Sequence, residues 1–269
     1  MGASLFLGSV HCGFSQRGRS LNLHGKTVLI TGAAHGLGRQ LALLLDPLSC
    51  SLFLIDRDAD GLSALAGELN NAPNIFSCDL GDLRERKKII QIIKSQTQID
   101  ILINCAGIGS HSQLSQLTVD EIEHIMQINT LAPLELTAGL FPLELIVNIG
   151  SVAGEMNLPS MSLYAASKTS VHAFTRSIQL EGPRMLLVIL GPLCGTDFAQ
   201  SIAHPHTGQP NWYRWLDLPV ETAARLIVQA MQRGKSQLVA PWWYRIIFML
   251  ARIFSPLVGV FGRYSSVKQ

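Results

Sequence analysis

The chain has 269 residues, of which 48% are hydrophobic and only 15% charged, and its formal net charge is +2. That composition can bury a large core in one α/β domain and excludes a disordered chain, while the charge is too small to imply a nucleic acid or other polyanionic partner. Five widely spaced cysteines (Cys12, Cys50, Cys78, Cys105, Cys194) include no Cys-x-x-Cys pair and read as reduced thiols of a cytoplasmic protein, with neither a disulfide framework nor a metal site.

Residues 1–23 read as a flexible N-terminal extension; its lack of acids, with Arg17, Arg19 and several serines, is a weak organelle-targeting hint. The apolar run Thr27 to Ile30 is a buried strand that leads into Thr31-Gly32-Ala33-Ala34-His35-Gly36-Leu37-Gly38 and then a helix over Arg39 to Leu45. Glycines there let the backbone turn tightly and approach a pyrophosphate, and the free amides of the helix start attract its charge. A second strand, Ser51 to Ile55, ends at Asp56, 24 residues after Gly32. A carboxylate in that place accepts hydrogen bonds from adenosine ribose hydroxyls and repels a 2′-phosphate, which favours NAD(H); Arg57 and His35, as phosphate partners, keep NADP(H) open.

A helix over Asp60 to Leu69 stops at Asn70-Asn71-Ala72-Pro73, and a third strand, Asn74 to Cys78, closes on Asp79-Leu80. The next helix carries Arg84, Arg86, Lys87 and Lys88, read as a solvated basic face, with isoleucines on its buried side. The fourth strand, Ile99 to Ile103, ends in Asn104-Cys105-Ala106-Gly107. This alternation predicts a single-domain, Rossmann-like, doubly wound parallel sheet in three α/β/α layers, with right-handed crossovers and a dinucleotide across the strand ends.

A helix over Thr118 to Leu131 carries Asn129 among apolar neighbours, where its amide either braces the backbone or holds a water. The fifth strand, Leu145 to Ile149, ends at Gly150-Ser151. In Tyr164-Ala165-Ala166-Ser167-Lys168 the phenol and the ammonium are four apart, hence neighbours on one helix face. A phenol ordinarily titrates near ~10; an adjacent cation lowers that value, so Tyr164 is expected to exchange a proton with a substrate hydroxyl or carbonyl.

Together these motifs resemble the short-chain dehydrogenase/reductase family over roughly Leu23 to Asp197. Thr31 through Gly38 resembles its Thr-Gly-x-x-x-Gly-x-Gly turn, Asn104 through Gly107 its Asn-Asn-Ala-Gly, and Ser151, Tyr164 and Lys168, with Asn129, its catalytic set. The resemblance implies hydride transfer between a nicotinamide and a secondary alcohol or ketone. Ser151 would hold the substrate oxygen, Tyr164 the proton, Lys168 the nicotinamide ribose, and Asn129 a water linking Lys168 to solvent. It also implies cofactor contacts at Gly32, His35, Gly36, Leu37, Gly38, Asp56, Arg57, Asp79, Leu80, Asn104, Ala106, Gly107, Gly191 and Thr196, and a homodimer or homotetramer. The sequence departs from the family pattern in two places. Only 22 positions separate Asn129 from Ser151, and the link Gly182-Pro183-Arg184 to the sixth strand, Met185 to Leu190, is also short. Thr196 stands one position late.

Residues 195–219, with His204, His206, Trp212, Tyr213 and Trp215, resemble a substrate lid, and a helix over Val220 to Arg233 precedes a last strand, Gln237 to Ala240. The segment 241–269 is apolar and basic: from Lys235 onward there are five bases and no acid. Arg245, Arg252 and Pro256 interrupt any spanning run, so it reads as a peripheral membrane contact or as a helix closing the pocket or a dimer. The expected function is oxidoreduction of a lipophilic alcohol or ketone such as a steroid, retinoid or acyl derivative. The alternatives are an NADPH-dependent 3-oxoacyl reductase and a catalytically silent dinucleotide-binding or scaffold protein.

Overall fold

The computed structural model describes residues 18–156, 158–196, 198 and 217–250. Most of the expected lid, including both histidines and its three aromatic residues, lies outside them, as do 1–17 and 251–269.

Seven parallel strands form the main sheet in the order β3-β2-β1-β4-β5-β6-β9. They are β1 (Thr27–Thr31), β2 (Ser51–Asp56), β3 (Asn74–Ser77), β4 (Ile101–Asn104), β5 (Leu145–Ser151), β6 (Met185–Leu190) and β9 (Gln237–Ala240). A two-stranded ribbon pairs β7 (Leu193–Cys194) with β8 (Leu218–Pro219). Strands β4 and β6 are buried throughout, and β1 is buried except at Thr27. That is what continuous apolar runs dictate when helices cover both faces of a sheet. Side chains alternate between the faces. Val28, Ile30, Leu52, Leu54, Ile101 and Ile103 enter the larger core cluster, whereas Leu29, Phe53, Ile55 and Leu102 enter a second one on the opposite side.

The helices are α1 (Gly36–Leu45), α2 (Ala59–Glu68), α3 (Leu83–Gln96), α4 (Val119–Met126), α5 (Ala132–Leu140), α6 (Ser162–Glu181) and α7 (Val220–Gln232). Helix α1 begins three residues earlier than expected, on Gly36 itself. The helix expected over 118–131 is α4 followed by a π-helical turn, Gln127–Leu131, that carries Asn129. Leu21 and Leu23, assigned to the N-terminal extension, are instead buried in the core, and the Leu21 amide donates to the Gln232 carbonyl at 2.8 Å.

The two short links do not disturb the sheet. Helix α5 has only nine residues, yet β5 keeps its register, with Ile103 opposite Val147 and Ser151 opposite Leu190. After α6, Gly182 at φ 118° makes the reversal that lets Pro183-Arg184 enter β6 directly.

Arg86 corrects the reading of α3 as having a solvated basic face that included it. Its side chain is fully buried beside Ile89 and Ile93, paired with Glu135 on α5 and hydrogen-bonded to Gln127 and to the Leu80 carbonyl.

Candidate active site

The strand order reverses direction between β1 and β4, and in open α/β sheets the crevice for a ligand lies at the carboxyl ends of the strands there. Thr31 Oγ1 accepts the amides of Cys105 and Ala106 at 3.0 and 3.1 Å, which draws the two strand ends together. Gly32 has φ 67°, and a Cβ on it would lie 2.8 Å from the Ala106 Cα; a Cβ on Gly38 would lie 2.0 Å from the Gly32 carbonyl oxygen. No side chain fits at either place, so the turn is open to a backbone-hugging group. His35 stands at the N-cap of helix α1 without a side-chain cap, and the first turn holds no acid, leaving amides for an anion. Leu37 contributes only that backbone, since its side chain is buried in the core.

At the end of β2 the Asp56 carboxylate accepts the Ala34 amide at 3.0 Å and the Asp58 amide at 3.1 Å, fixing an anion beside the glycine turn. His35 is paired with Asp58 at 2.6 Å, which engages the group expected to meet a phosphate. Arg57 is exposed at the same corner. Asp79 is exposed and takes the Gly81 amide, whereas Leu80 packs its side chain into the core and offers only backbone. Asn104 is buried and donates to Asn148 Oδ1 at 2.8 Å, leaving its own Oδ1 without a partner among the described residues. Thr196, despite its late position, reaches the glycine turn: a Cβ on Gly36 would lie 3.2 Å from its methyl carbon. Gly191 lies under Tyr244 of the C-terminal segment, whose ring a Cβ there would meet at 2.6 Å. These features fit a dinucleotide: a cradle without side chains, uncapped helix amides for the pyrophosphate and a fixed carboxylate for the ribose.

The structure also brings the four catalytic candidates to the end of β5. Ser151 is its last residue, and Tyr164 and Lys168 are buried on the face of α6 that covers it. The Ser151 hydroxyl hydrogen-bonds the Tyr164 phenol, and the Lys168 ammonium lies 5.9 Å from the Tyr164 ring centroid while donating to the Ile149 carbonyl at 3.0 Å. Asn129 Oδ1 and Lys168 Nζ both lie 3.3 Å from where a Gly107 Cβ would be, so this glycine leaves room for their approach.

Of the two roles open to Asn129, bracing is seen. Its amide exchanges two 2.8 Å hydrogen bonds with the backbone of Ile108 and donates to Ser167 Oγ at 3.1 Å. The expectation of a lowered Tyr164 pKa is reversed. Burial pushes the phenol up to about 12 and outweighs the Ser151 hydrogen bond that lowers it; burial also pushes Lys168 down to about 8.

Sequence reasoning missed three buried polar residues here. Ser167 donates to the Tyr164 carbonyl, Asn148 joins Asn104 to Thr175, and His172 follows Lys168 by one helical turn. Only the spacing 164, 168, 172 could have flagged the histidine. Among the described residues no group of three or more His, Cys, Asp or Glu could hold a metal ion.

Residues 26–204 match the family model described as short chain dehydrogenase. A dehydrogenase/reductase SDR family protein 7-like of Anopheles gambiae is 33% identical over 175 residues, covering 60% of this chain and 55% of that protein. The ketoacyl reductase HetN of Nostoc is 31% identical over 169 residues, covering 59% of each. The chain thus spans little more than half the length of these relatives. A short-chain dehydrogenase from Sphingobium yanoikuyae in complex with NADPH superposes with TM-score 0.74 at 26% identity, over 91% of this chain and 96% of that one. A Burkholderia phymatum enzyme in complex with NAD shares the fold, with TM-score 0.76 at 21% identity over 88% and 96% of the two chains. With the motifs assembled at one cleft and the model matching more than half its length, the chain belongs to the short-chain dehydrogenase/reductase family of nicotinamide-dependent oxidoreductases.

Proposed function

We propose that the protein interconverts a secondary alcohol and a ketone on a lipophilic substrate, with NAD(H) as the preferred dinucleotide. The observation that carries this reading is the convergence of Ser151, Tyr164 and Lys168 at the end of β5, beside the glycine cradle. When bound, the dinucleotide supplies or accepts the hydride. In reduction, Ser151 holds the carbonyl oxygen where negative charge develops. Tyr164 gives its phenolic proton to that oxygen, leaving an alcohol and a phenolate that the Lys168 ammonium faces. Asn129 keeps the 107–108 backbone beside Lys168, and a water on its amide would relay a proton from solvent to restore the phenol.

An apolar wall beside Ser151 supports a lipophilic substrate. Val152 packs with Tyr244 and Phe248 of the C-terminal segment, and Met156 and Trp243 flank them. Turnover of a panel of hydroxysteroids, retinols, simple ketones and a 3-oxoacyl thioester tests the reading. Preferred use of the thioester with NADPH supports the second reading, which the 31% identity to a ketoacyl reductase favours. Dinucleotide binding with no turnover across the panel supports a silent binding protein.

For the cofactor, the fixed Asp56 carboxylate sets the expectation. NAD binds more tightly than NADP, and Asp56→Ser narrows the ratio of the two Kd values by about tenfold, equivalent to ~1.4 kcal/mol. Fluorescence titration with both reduced dinucleotides checks this; a ratio unmoved by the substitution removes Asp56 from the discrimination.

Among the described residues no helix is long and apolar enough to cross a membrane. The helical stretch 244–250 buries Tyr244 and Phe248 but leaves Ile246, Ile247, Met249 and Leu250 exposed beside exposed Trp242. This apolar face suits a peripheral membrane contact. Full-length protein is expected to float with anionic liposomes, and the variant W242E/I246E/M249E is expected to stay in the soluble fraction. Equal soluble recovery of both rejects the contact and leaves the face to a homo-oligomer.

A further inference from the structure

We infer that His172, locked by Glu155, is a positioning residue for Ser151: it accepts the Ser151 backbone N–H and so fixes where β5 delivers the serine hydroxyl. The inference rests on the proposed role of Ser151 in holding the substrate oxygen.

Helix α6 presents Tyr164, Lys168 and His172 at successive fourth positions, all buried, so the imidazole continues the catalytic stripe one turn farther along. The ring is fully inaccessible, with Nε2 3.3 Å from the Ser151 amide nitrogen and Nδ1 3.0 Å from Glu155 Oε1. A backbone amide can only donate, so Nε2 carries no proton and Nδ1 carries the one given to Glu155. Glu155 Oε1 is also paired with Arg176, so the same carboxylate oxygen that meets the ring is held in place from a second side. Burial pushes His172 down to about 4, in keeping with a neutral imidazole.

The chain around Ser151 is shaped to this ring. A Cβ on Gly150 would lie 2.2 Å from His172 Nε2, and one on Gly154 would lie 2.6 Å from its Cε1. Two glycines, one just before Ser151 and one three residues after it, therefore make room for the imidazole. Its one bond to Ser151 falls where the strand leaves the sheet, past which the hydroxyl takes the Ala153 amide and the Tyr164 phenol. Fixing the amide plane of Ser151 fixes the direction of its Cα–Cβ bond, and with it the hydroxyl.

A histidine that merely fills space would tolerate an apolar replacement of similar size; a positioning acceptor would not. The amide oxygen of glutamine reaches the place of Nε2, whereas leucine offers no acceptor. With a ketone from the panel, His172→Leu is expected to lower kcat by between about 10-fold and 100-fold, as displacement of a reacting group does, with KM for dinucleotide and ketone within about twofold. His172→Gln is expected to recover most of that loss. Equal kcat for H172L and wild type, or H172Q as impaired as H172L, overturns the assignment. Glu155→Gln leaves the ring in place while releasing its tautomer, and covers the case in which H172L does not fold; it too is expected to lower kcat, and an unchanged kcat counts against the assignment. A second readout needs no substrate. Nitrogen-15 histidine spectra of the full chain at neutral pH are expected to show His172 protonated on Nδ1 alone, and protection of the Ser151 amide from hydrogen exchange is expected to fall in E155Q and hold in H172Q. A ring protonated on Nε2 overturns the inference even if a substrate is found. If no ketone turns over, the hydride-transfer reading fails on its own, and the spectra still decide the role of His172.

Discussion

Tyr164→Phe is expected to lower kcat for ketone reduction by about 10³-fold, equivalent to ~4 kcal/mol of transition-state stabilisation, while dinucleotide binding stays within a few-fold of wild type. The substitution removes one oxygen. Ser151 loses a hydrogen-bond partner but keeps its bond from the Ala153 amide, and the ring keeps its place under Phe198, with centroids 6.0 Å apart. The cradle at Gly32, Gly36 and Gly38 lies on other elements, where the nearest neighbours of those glycines are Ala106, Thr196 and the turn itself. A loss confined to kcat is therefore the signature of a proton donor, and stopped-flow turnover with a dinucleotide titration separates the two effects. An unchanged kcat would remove the phenol from the reaction.

The pH dependence follows from the directions at the same two groups. Tyr164, pushed up to about 12, holds its proton across the working range, so reduction starts with the donor loaded. Lys168, pushed down to about 8, loses its charge as pH rises through that value, and with it the cation that offsets the phenolate. The reduction rate is thus expected to be level below about pH 8 and to fall above it. A rate that rises through pH 8 would contradict this order of titration.

Much of this architecture is legible in the residues. Parallel strands buried on both faces must be nearly all apolar, so Val28-Leu29-Ile30 and Ile101-Leu102-Ile103 announce themselves, as do Met185 to Leu190 and Gln237 to Ala240 at the observed boundaries. Steric necessity made the glycine turn equally legible, because Gly32 and Gly38 admit no side chain. What escaped were properties that depend on surroundings. The spacing of Tyr164 and Lys168 suggested a charge effect on the phenol, but both groups are buried, and burial is the largest influence on each. The π turn at 127–131 leaves no mark in composition, and yet it is what aims Asn129 at the Ile108 backbone. His172 and Glu155 lie in no motif, and only the fold brings them together. Arg86 was hidden by its company: a run of bases reads as solvated, although helical phase puts residue 86 on the same side as 89 and 93.

That phase makes Arg86 the site of the largest expected loss of stability. Its guanidinium donates to Glu135 Oε2 at 2.8 Å, to the Leu80 carbonyl at 2.6 Å and to Gln127 Oε1 at 2.6 Å, and none of the side chain is accessible. One cation thereby ties the end of the β3 loop, the start of the π turn and the first turn of α5 together. Arg86→Ala leaves the Leu80 carbonyl and the Gln127 amide without their donor and opens a cavity. Glu135, about a third exposed, can turn to water and recover part of its loss. Removing one partner of a buried pair costs about 3–5 kcal/mol, and the rehydration of Glu135 places the expectation near the lower figure. At roughly 2–4 °C per kcal/mol for a chain of this size, Tm should fall by about 10 °C. Arg86→Lys keeps the charge but cannot span three acceptors with a planar fork, so it should fall between Ala and wild type. Thermal unfolding of the three proteins at one pH and salt concentration measures the series. A shift under about 2 °C for R86A would mean that the buried clamp is neutral, its desolvation cost cancelling its contacts.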